Sequence, residues 1–202
     1  MSSYNEEQAV TLEIIRQYFS GPGDRKQALL EIIRPYLEFR KRTDLFLEEH
    51  FADLCTAKCY QSNLSACCSK EGIVAFFADA AVNAAVSSEQ SLDRITSVTS
   101  RPNTGMKCVF LTPEGCLWKV KPIVCQMFLC AAAEKQVFGG NPDLQEEWNR
   151  LEAEKKTFTW PDKPVLFDEL EKIFMDQGYQ SPLMYCHNSP GLMMVKKKAG
   201  LL

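Results

Sequence analysis

Eight of the nine cysteines crowd into two short stretches, CTAKCYQSNLSACC at 55–68 and CVFLTPEGCLWKVKPIVCQMFLC at 108–130. The first holds Cys55, Cys59, Cys67 and Cys68, the second Cys108, Cys116, Cys125 and Cys130. A single free cysteine behaves as a small buried hydrophobe, but eight in two dense groups point to metal or redox use. Disulfide staples are not needed, because a chain of 202 residues buries roughly 70% of its unfolded surface.

The compartment follows from the rest of the sequence. MSSYNEEQAV is polar and acidic, without the basic start and apolar run of a secretory signal. The most apolar internal stretch, GIVAFFADAAVNAAV, is too short for a bilayer and carries Asp79 and Asn83. The expectation is a soluble, cytoplasmic protein with no membrane partner, where thiols stay reduced and serve as ligands or redox groups. Charge is nearly balanced, 26 acidic residues against 23 basic, which argues against a nucleic-acid partner. The one basic run, Lys196-Lys197-Lys198, reads as a solvated tail.

Periodicity predicts helices on both sides of the cysteines. Val10, Ile14, Ile15, Tyr18 and Phe19 make one stripe, stopped by Gly21-Pro22-Gly23. Leu29, Ile32, Ile33, Tyr36 and Leu37 make a second, with Pro35 expected to kink or break it. Thr43 or Asp44 then caps a third helix, striped by Leu47, His50, Phe51, Leu54 and Cys55. A long helix is expected over roughly 71–98, with Ile73, Phe76, Phe77, Ala80, Ala81 and Ala84 on one face.

KCVFLT-PEG-CLWKV reads as a short hairpin with a positive φ at Gly115. Pro122 starts a further helix reaching Gly139-Gly140. Leu144, Trp148 and Leu151 stripe the next one; Leu166, Phe167, Leu170, Ile173 and Phe174 stripe the last, which Gly178 ends. The predicted fold class is mainly α, a helical domain with a small β-hairpin beside a cysteine-ligated metal site. Its divisions are N-terminal helices at 1–50, a cysteine-cluster metal-binding region at 51–135, and C-terminal helices and tail at 136–202, together one compact domain.

Spacing sets what the thiols can share. On a helix Cys55 and Cys59 lie about 40° apart in azimuth and can reach one metal. Adjacent Cys67 and Cys68 do not comfortably form a disulfide with each other; they can serve two irons of a cluster, or one can bind while the other packs. Along an extended hairpin Cys108 and Cys116 are roughly 13 Å apart, too far for one ion unless the backbone departs from a strand. Cys125 and Cys130 differ by about 140° on a continuous helix, so joint ligation favours a helix that begins after Cys125.

No C-x2-C pair, the usual zinc-knuckle sign, is present. Irregularly spaced thiolates suit an iron–sulfur cluster, whose body spreads its ligand positions; Zn2+ is the alternative. Taken together, C-x3-C-x7-CC, a helical spacer and C-x7-C-x8-C-x4-C, with Phe110-Leu111 after the fifth cysteine and Pro122 before the seventh, resemble the YkgJ-type cysteine-cluster family, described as zinc- or iron-chelating. The resemblance covers about residues 55–130 and implies that Cys55, Cys59, Cys67, Cys68, Cys108, Cys116, Cys125 and Cys130 are the ligands. Two positions depart from it: Lys121 and Gln126 stand where that family often has arginine.

Other residues read more plainly. Cys186 is expected to be a free thiol, although Cys186 and His187 would complete a site if the tail folded back. His50 is expected to be structural, and Glu71 and Asp79 either support the site or lie on a solvated helix face. No catalytic triad, phosphate loop or dinucleotide fingerprint is legible, so no catalytic residue is assigned. The leading expectation is an iron–sulfur protein for electron transfer or redox sensing, with a protein redox partner. The alternatives are a zinc-stabilised interaction module and a metal carrier, and either state is compatible with a homodimer.

Overall fold

The computed structural model describes residues 4–55, 68, 75–100, 107–159 and 164–187, together with 192, 193, 196, 197 and 200. Cys59, Cys67, Glu71 and Ile73 lie outside the described residues. The elements, in chain order, are helices α1 (Tyr4–Phe19), α2 (Arg25–Ala52), α3 (Phe77–Val86) and α4 (Glu89–Thr99), strands β1 (Leu111–Thr112) and β2 (Gly115–Cys116), then α5 (Ile123–Gln126), α6 (Ala131–Phe138), α7 (Pro142–Phe158) and α8 (Leu166–Met175). The expected class, mainly helical with one small antiparallel hairpin, is what forms. Among the described residues no helix is long and apolar enough to cross a membrane.

The run FADAAVNAAV makes α3 the centre of the molecule. Every residue from Phe77 to Ala85 is buried, and α1, α2 and α8 all pack against this helix. Its alanines let neighbouring backbones approach, so aromatic side chains fill the space beyond them. The Phe77 ring meets Phe174 of α8 edge-on at 4.8 Å, and Phe174 in turn contacts Tyr18 of α1 at 3.9 Å. The burial of such rings, about 1.5–3 kcal/mol each, is the main local source of stability. One hydrophobic cluster runs from Leu12 of α1 to Met184 beyond α8.

Three expectations about helix limits are corrected. The helix containing Pro35 does not break there: α2 runs unbroken through it and absorbs the helix expected to start at Thr43 or Asp44. Tyr36, Phe39, Phe46 and Phe51 are all buried along α2, and together their burial exceeds the roughly 3 kcal/mol cost of an interior proline. Thr43 turns its hydroxyl back to the Phe39 carbonyl at 3.2 Å instead of capping.

The long helix expected over 71–98 is two helices, α3 and α4. They part at Ser87-Ser88, where the Ser88 side chain accepts from the Ser91 N–H and caps α4. Of the expected α1 stripe, Ile15 and Tyr18 are buried and Ile14 and Phe19 half-buried, and Val10 alone is exposed. Val10 is 47% exposed, while Leu12, Ile15 and Tyr18 are buried together with Glu7, Gln8 and Thr11. The buried Thr11 hydroxyl finds Ser181 at 2.7 Å, a partner 170 residues away.

The stripes of α7 and α8 form as expected, with Trp148, Leu151, Phe167, Leu170 and Phe174 buried. Gly178, at φ +84°, turns the chain out of α8. The β1–β2 hairpin pairs Leu111 with Cys116 and Thr112 with Gly115. Gly115, at φ +119°, lets the chain leave the Pro113-Glu114 turn.

Candidate metal centre

The α-helical part of α2 ends at Ala52, and a wider π-type turn over 53–55 carries Cys55 beyond it. Such turns replace regular i to i−4 bonding and often mark functional positions. The shared face expected for Cys55 and Cys59 therefore lacks its α-helical basis at Cys55, and Cys59 is outside the described residues.

The hairpin behaves differently from an extended ribbon. Cys108 precedes β1 in a tight turn, closed by the Leu111 N–H on the Cys108 carbonyl at 3.1 Å. Each strand is only two residues long. The chain thus folds back at Cys108, and the roughly 13 Å separation of an extended strand does not apply. The Cys116 thiol is close enough to Cys108 to raise its pKa, and Cys68 raises both. The Cys108 backbone N–H donates to the Cys68 carbonyl at 2.8 Å, which joins the first cysteine stretch to the second.

Beyond the hairpin, the helix expected from Pro122 to Gly139 is interrupted. α5 is a single turn with Pro122 as its N-cap, and the chain breaks before Cys130, the N-cap of α6. Cys125 sits in that turn, so KPIVC is not wholly a loop, and the 140° of a continuous helix no longer separates the two thiols.

Six cysteines, Cys55, Cys68, Cys108, Cys116, Cys125 and Cys130, line one cavity of about 830 Å³. They reach it from the end of α2, the hairpin, α5 and the start of α6. Leu47, Phe51, Phe110, Trp118 and Leu129 supply apolar wall, and Asp44, Glu48, Glu114 and Lys121 bring charge to it. None of the six is in a disulfide, and all are half-buried. Among the described residues, no three His, Cys, Asp or Glu side chains stand together as a ready single-ion site. The thiols surround a volume.

Burial governs their acidity. It pushes the Cys108 thiol up to about 11, with the Cys116 and Cys68 thiols adding to the rise and backbone N–H groups of Phe110 and Leu111 opposing it. Cys116 is also raised by burial; the Trp118 N–H and the Lys121 charge pull it down. Lys121 therefore keeps a positive charge beside the thiols, although it is not arginine. Gln126, the other departure, is buried and donates its amide to the Asp44 carboxylate, joining α5 to α2.

A buried polar set adjoins the cavity-lining segment 120–123; of its members Arg40, Asp79 and Asn83, the sequence offered only Asp79, as a candidate support of the site. Asp79 is not on a solvated face; it is 2% exposed. Its Oδ2 accepts from the Phe76 N–H and its Oδ1 from the Ile123 N–H, both at 3.0 Å. Burial raises its pKa to about 6, against the opposing pull of the Arg40 guanidinium and of the two N–H groups. Arg40, 3% exposed, donates to the Tyr36 hydroxyl at 2.8 Å and to the Lys121 carbonyl at 2.5 Å. Asn83 Oδ1 accepts from the Val120 N–H at 3.1 Å. The available signal was a polar residue inside an apolar run at Asp79 and Asn83; Arg40, in the charged stretch Arg40-Lys41-Arg42, gave none.

The remaining candidates sit elsewhere. His50 is half-buried and packs edge-on against Phe46 at 4.8 Å. Cys186 and His187 are both exposed, outside the residues that line the cavity. Comparison with family models, curated proteins and solved structures finds no match to this chain.

Proposed function

We propose that the chain is a thiolate metal-binding protein of the YkgJ type, holding an iron–sulfur cluster for electron transfer or redox sensing in a reducing, cytoplasmic setting. The observation that carries this reading is the cavity lined by six cysteines from separate elements. Its donor set is soft sulfur, which suits iron–sulfur clusters, zinc and cuprous ions over hard cations. Its volume of about 830 Å³ favours a multi-atom cluster over one tetrahedral ion, whose ligands converge on a point.

The cysteines are the residues that would hold the group, and a bound cluster supplies one-electron chemistry. The chain's own contribution is environmental. Apolar walls from Phe51, Phe110 and Trp118 limit water, and Lys121 offsets part of the thiolate charge. Hydrogen bonding and exposure of this kind set the potential of a cluster. A redox partner protein would exchange electrons through the cavity mouth, where Phe128 is 50% exposed.

Metal and sulfide analysis with a visible spectrum, on anaerobically purified protein, tests the reading. Iron with acid-labile sulfide and a charge-transfer absorption that bleaches on reduction is the expected result. Colourless protein with stoichiometric zinc overturns it in favour of a zinc-stabilised interaction module. That module would lose the folded cysteine region cooperatively on chelation. A carrier would pass its metal readily to a competing acceptor.

A further inference from the structure

The segment joining Cys116 to Cys125 has no regular structure between β2 and α5, so neither a ladder nor a helix fixes its course. Three buried side chains grip it. Asn83 Oδ1 takes the Val120 N–H at 3.1 Å, Arg40 Nη2 takes the Lys121 carbonyl at 2.5 Å, and Asp79 Oδ1 takes the Ile123 N–H at 3.0 Å. Lys119 adds an outer tie to the Val86 carbonyl at 2.8 Å. The other Asp79 oxygen holds the start of α3 through the Phe76 N–H, so that helix and the Cys125 turn share one anchor.

We propose that Arg40, Asp79 and Asn83 are positioning residues of the thiol site, a polar strut from α2 and α3 that fixes the placement of Cys116 relative to Cys125. The proposal rests on the metal-binding reading above. Its energetic basis is that the strut is expensive as a stability device. A buried Arg and Asp contribute less than well-packed apolar residues of similar volume, and fixing register is the best-attested use of such groups. Asn83 Nδ2 is buried with no hydrogen-bond partner, an added cost to stability. What these groups secure is the course of four residues, 120–123. Cys116 lies four positions before that run and Cys125 two positions after it.

The test uses full-length Asp79→Asn, Asn83→Ala and Asn83→Asp, with helicity as the folding control. Zn2+ affinity is measured by competition with a chromophoric chelator. Iodoacetamide labelling of each cysteine is mapped by mass spectrometry in metal-free protein, with exposed Cys186 as reference. Asp79→Asn and Asn83→Ala are expected to weaken Zn2+ binding about 10- to 100-fold, the usual effect of removing a support behind a metal ligand. They are also expected to accelerate labelling at Cys116 and Cys125 severalfold, but not at Cys55. Asn83→Asp keeps the Oδ1 acceptor and is expected to restore both readouts.

Folded variants that match wild type in both readouts overturn the proposal. So does a rise in labelling that is equal at every cysteine, which marks general loosening. If Asp79→Asn fails to fold, Asn83→Ala carries the test, because the Val120 tie is the one bond to the 120–123 run that it removes; the other it removes, from the Ser87 hydroxyl at 3.5 Å, stays at the end of α3. If wild type takes up no Zn2+, the labelling map alone decides the strut, and iron and sulfide analysis decides the metal-binding reading separately.

Discussion

The Cys108 backbone N–H donates to the Cys68 carbonyl at 2.8 Å across 40 positions of chain. The two cysteine stretches are therefore held together by backbone and do not depend on a metal alone to meet. The price of that arrangement is acidity: burial among other thiols lifts Cys108 to about 11. At pH 8 its thiolate is roughly 100-fold scarcer than that of an ordinary thiol with a pKa of 9.0. A more basic thiolate is also more nucleophilic, so in metal-free protein at pH 8 Cys108 is expected to alkylate about tenfold or more slower than a small-molecule thiol, and about tenfold faster for each pH unit from 8 to 10. Labelling at the small-molecule rate at pH 8 would show that the site does not bury this thiol.

Metal binding should follow the same acidity. A metal must displace the thiol proton, so the raised values at Cys108 and Cys116 make apparent affinity climb with pH through the neutral range. Competition titrations at pH 6.5, 7.5 and 8.5 check this through their slope. Cys108→Ser and Cys116→Ser are expected to lower metal stoichiometry or weaken binding by at least tenfold. Cys186→Ser, an exposed position, should leave binding as in wild type.

Asp79 gives stability a separate pH signature. Its folded pKa of about 6 lies above the ordinary 3.8, so the fold favours the protonated carboxyl. The associated stability is full below about pH 4 and is lost as pH rises through about 6, at roughly 1.4 kcal/mol per pH unit between them. Asp79→Asn removes this component and one of the two acceptors for the Phe76 and Ile123 N–H groups. The cost of the mutation is therefore expected to be largest near pH 4 and smallest above pH 6. Denaturant unfolding of chelator-treated wild type and variant across that range measures the difference.

What the sequence made legible follows from how local each signal is. The α7 and α8 stripes, the Gly115 turn and the Gly178 terminator depend on neighbours within a few residues, and all were readable. The α1 stripe was readable except at one edge: Thr11 is buried where Ser181 meets it from the far end of the chain, while apolarity alone pointed to Val10, which is exposed. At the site, cysteine number and spacing identified the thiols, but not that Cys108 folds back ahead of β1. Asp79 and Asn83 looked like interruptions in an apolar run and Arg40 like one of three consecutive basic residues, because their partners are backbone groups on a loop up to 81 positions away.

Pro35 offers the clearest test of long-range packing over local preference. It is an exposed residue inside α2, where proline costs one backbone hydrogen bond and crowds the preceding turn, about 3 kcal/mol in a helix interior. Its restriction of the unfolded chain returns roughly 0.4–1 kcal/mol. If burial of Tyr36, Phe39, Phe46 and Phe51 is what carries the helix across this position, alanine there should relieve the penalty and disturb nothing else. Pro35→Ala is expected to stabilise the protein by about 2 kcal/mol, a rise in Tm of roughly 4–8 °C for a chain of this size, with metal affinity unchanged. Thermal and denaturant unfolding read the first effect and a Zn2+ competition titration the second. A destabilised Pro35→Ala would mean that α2 needs the restricted unfolded state that proline provides, and that ring burial alone does not account for its continuity.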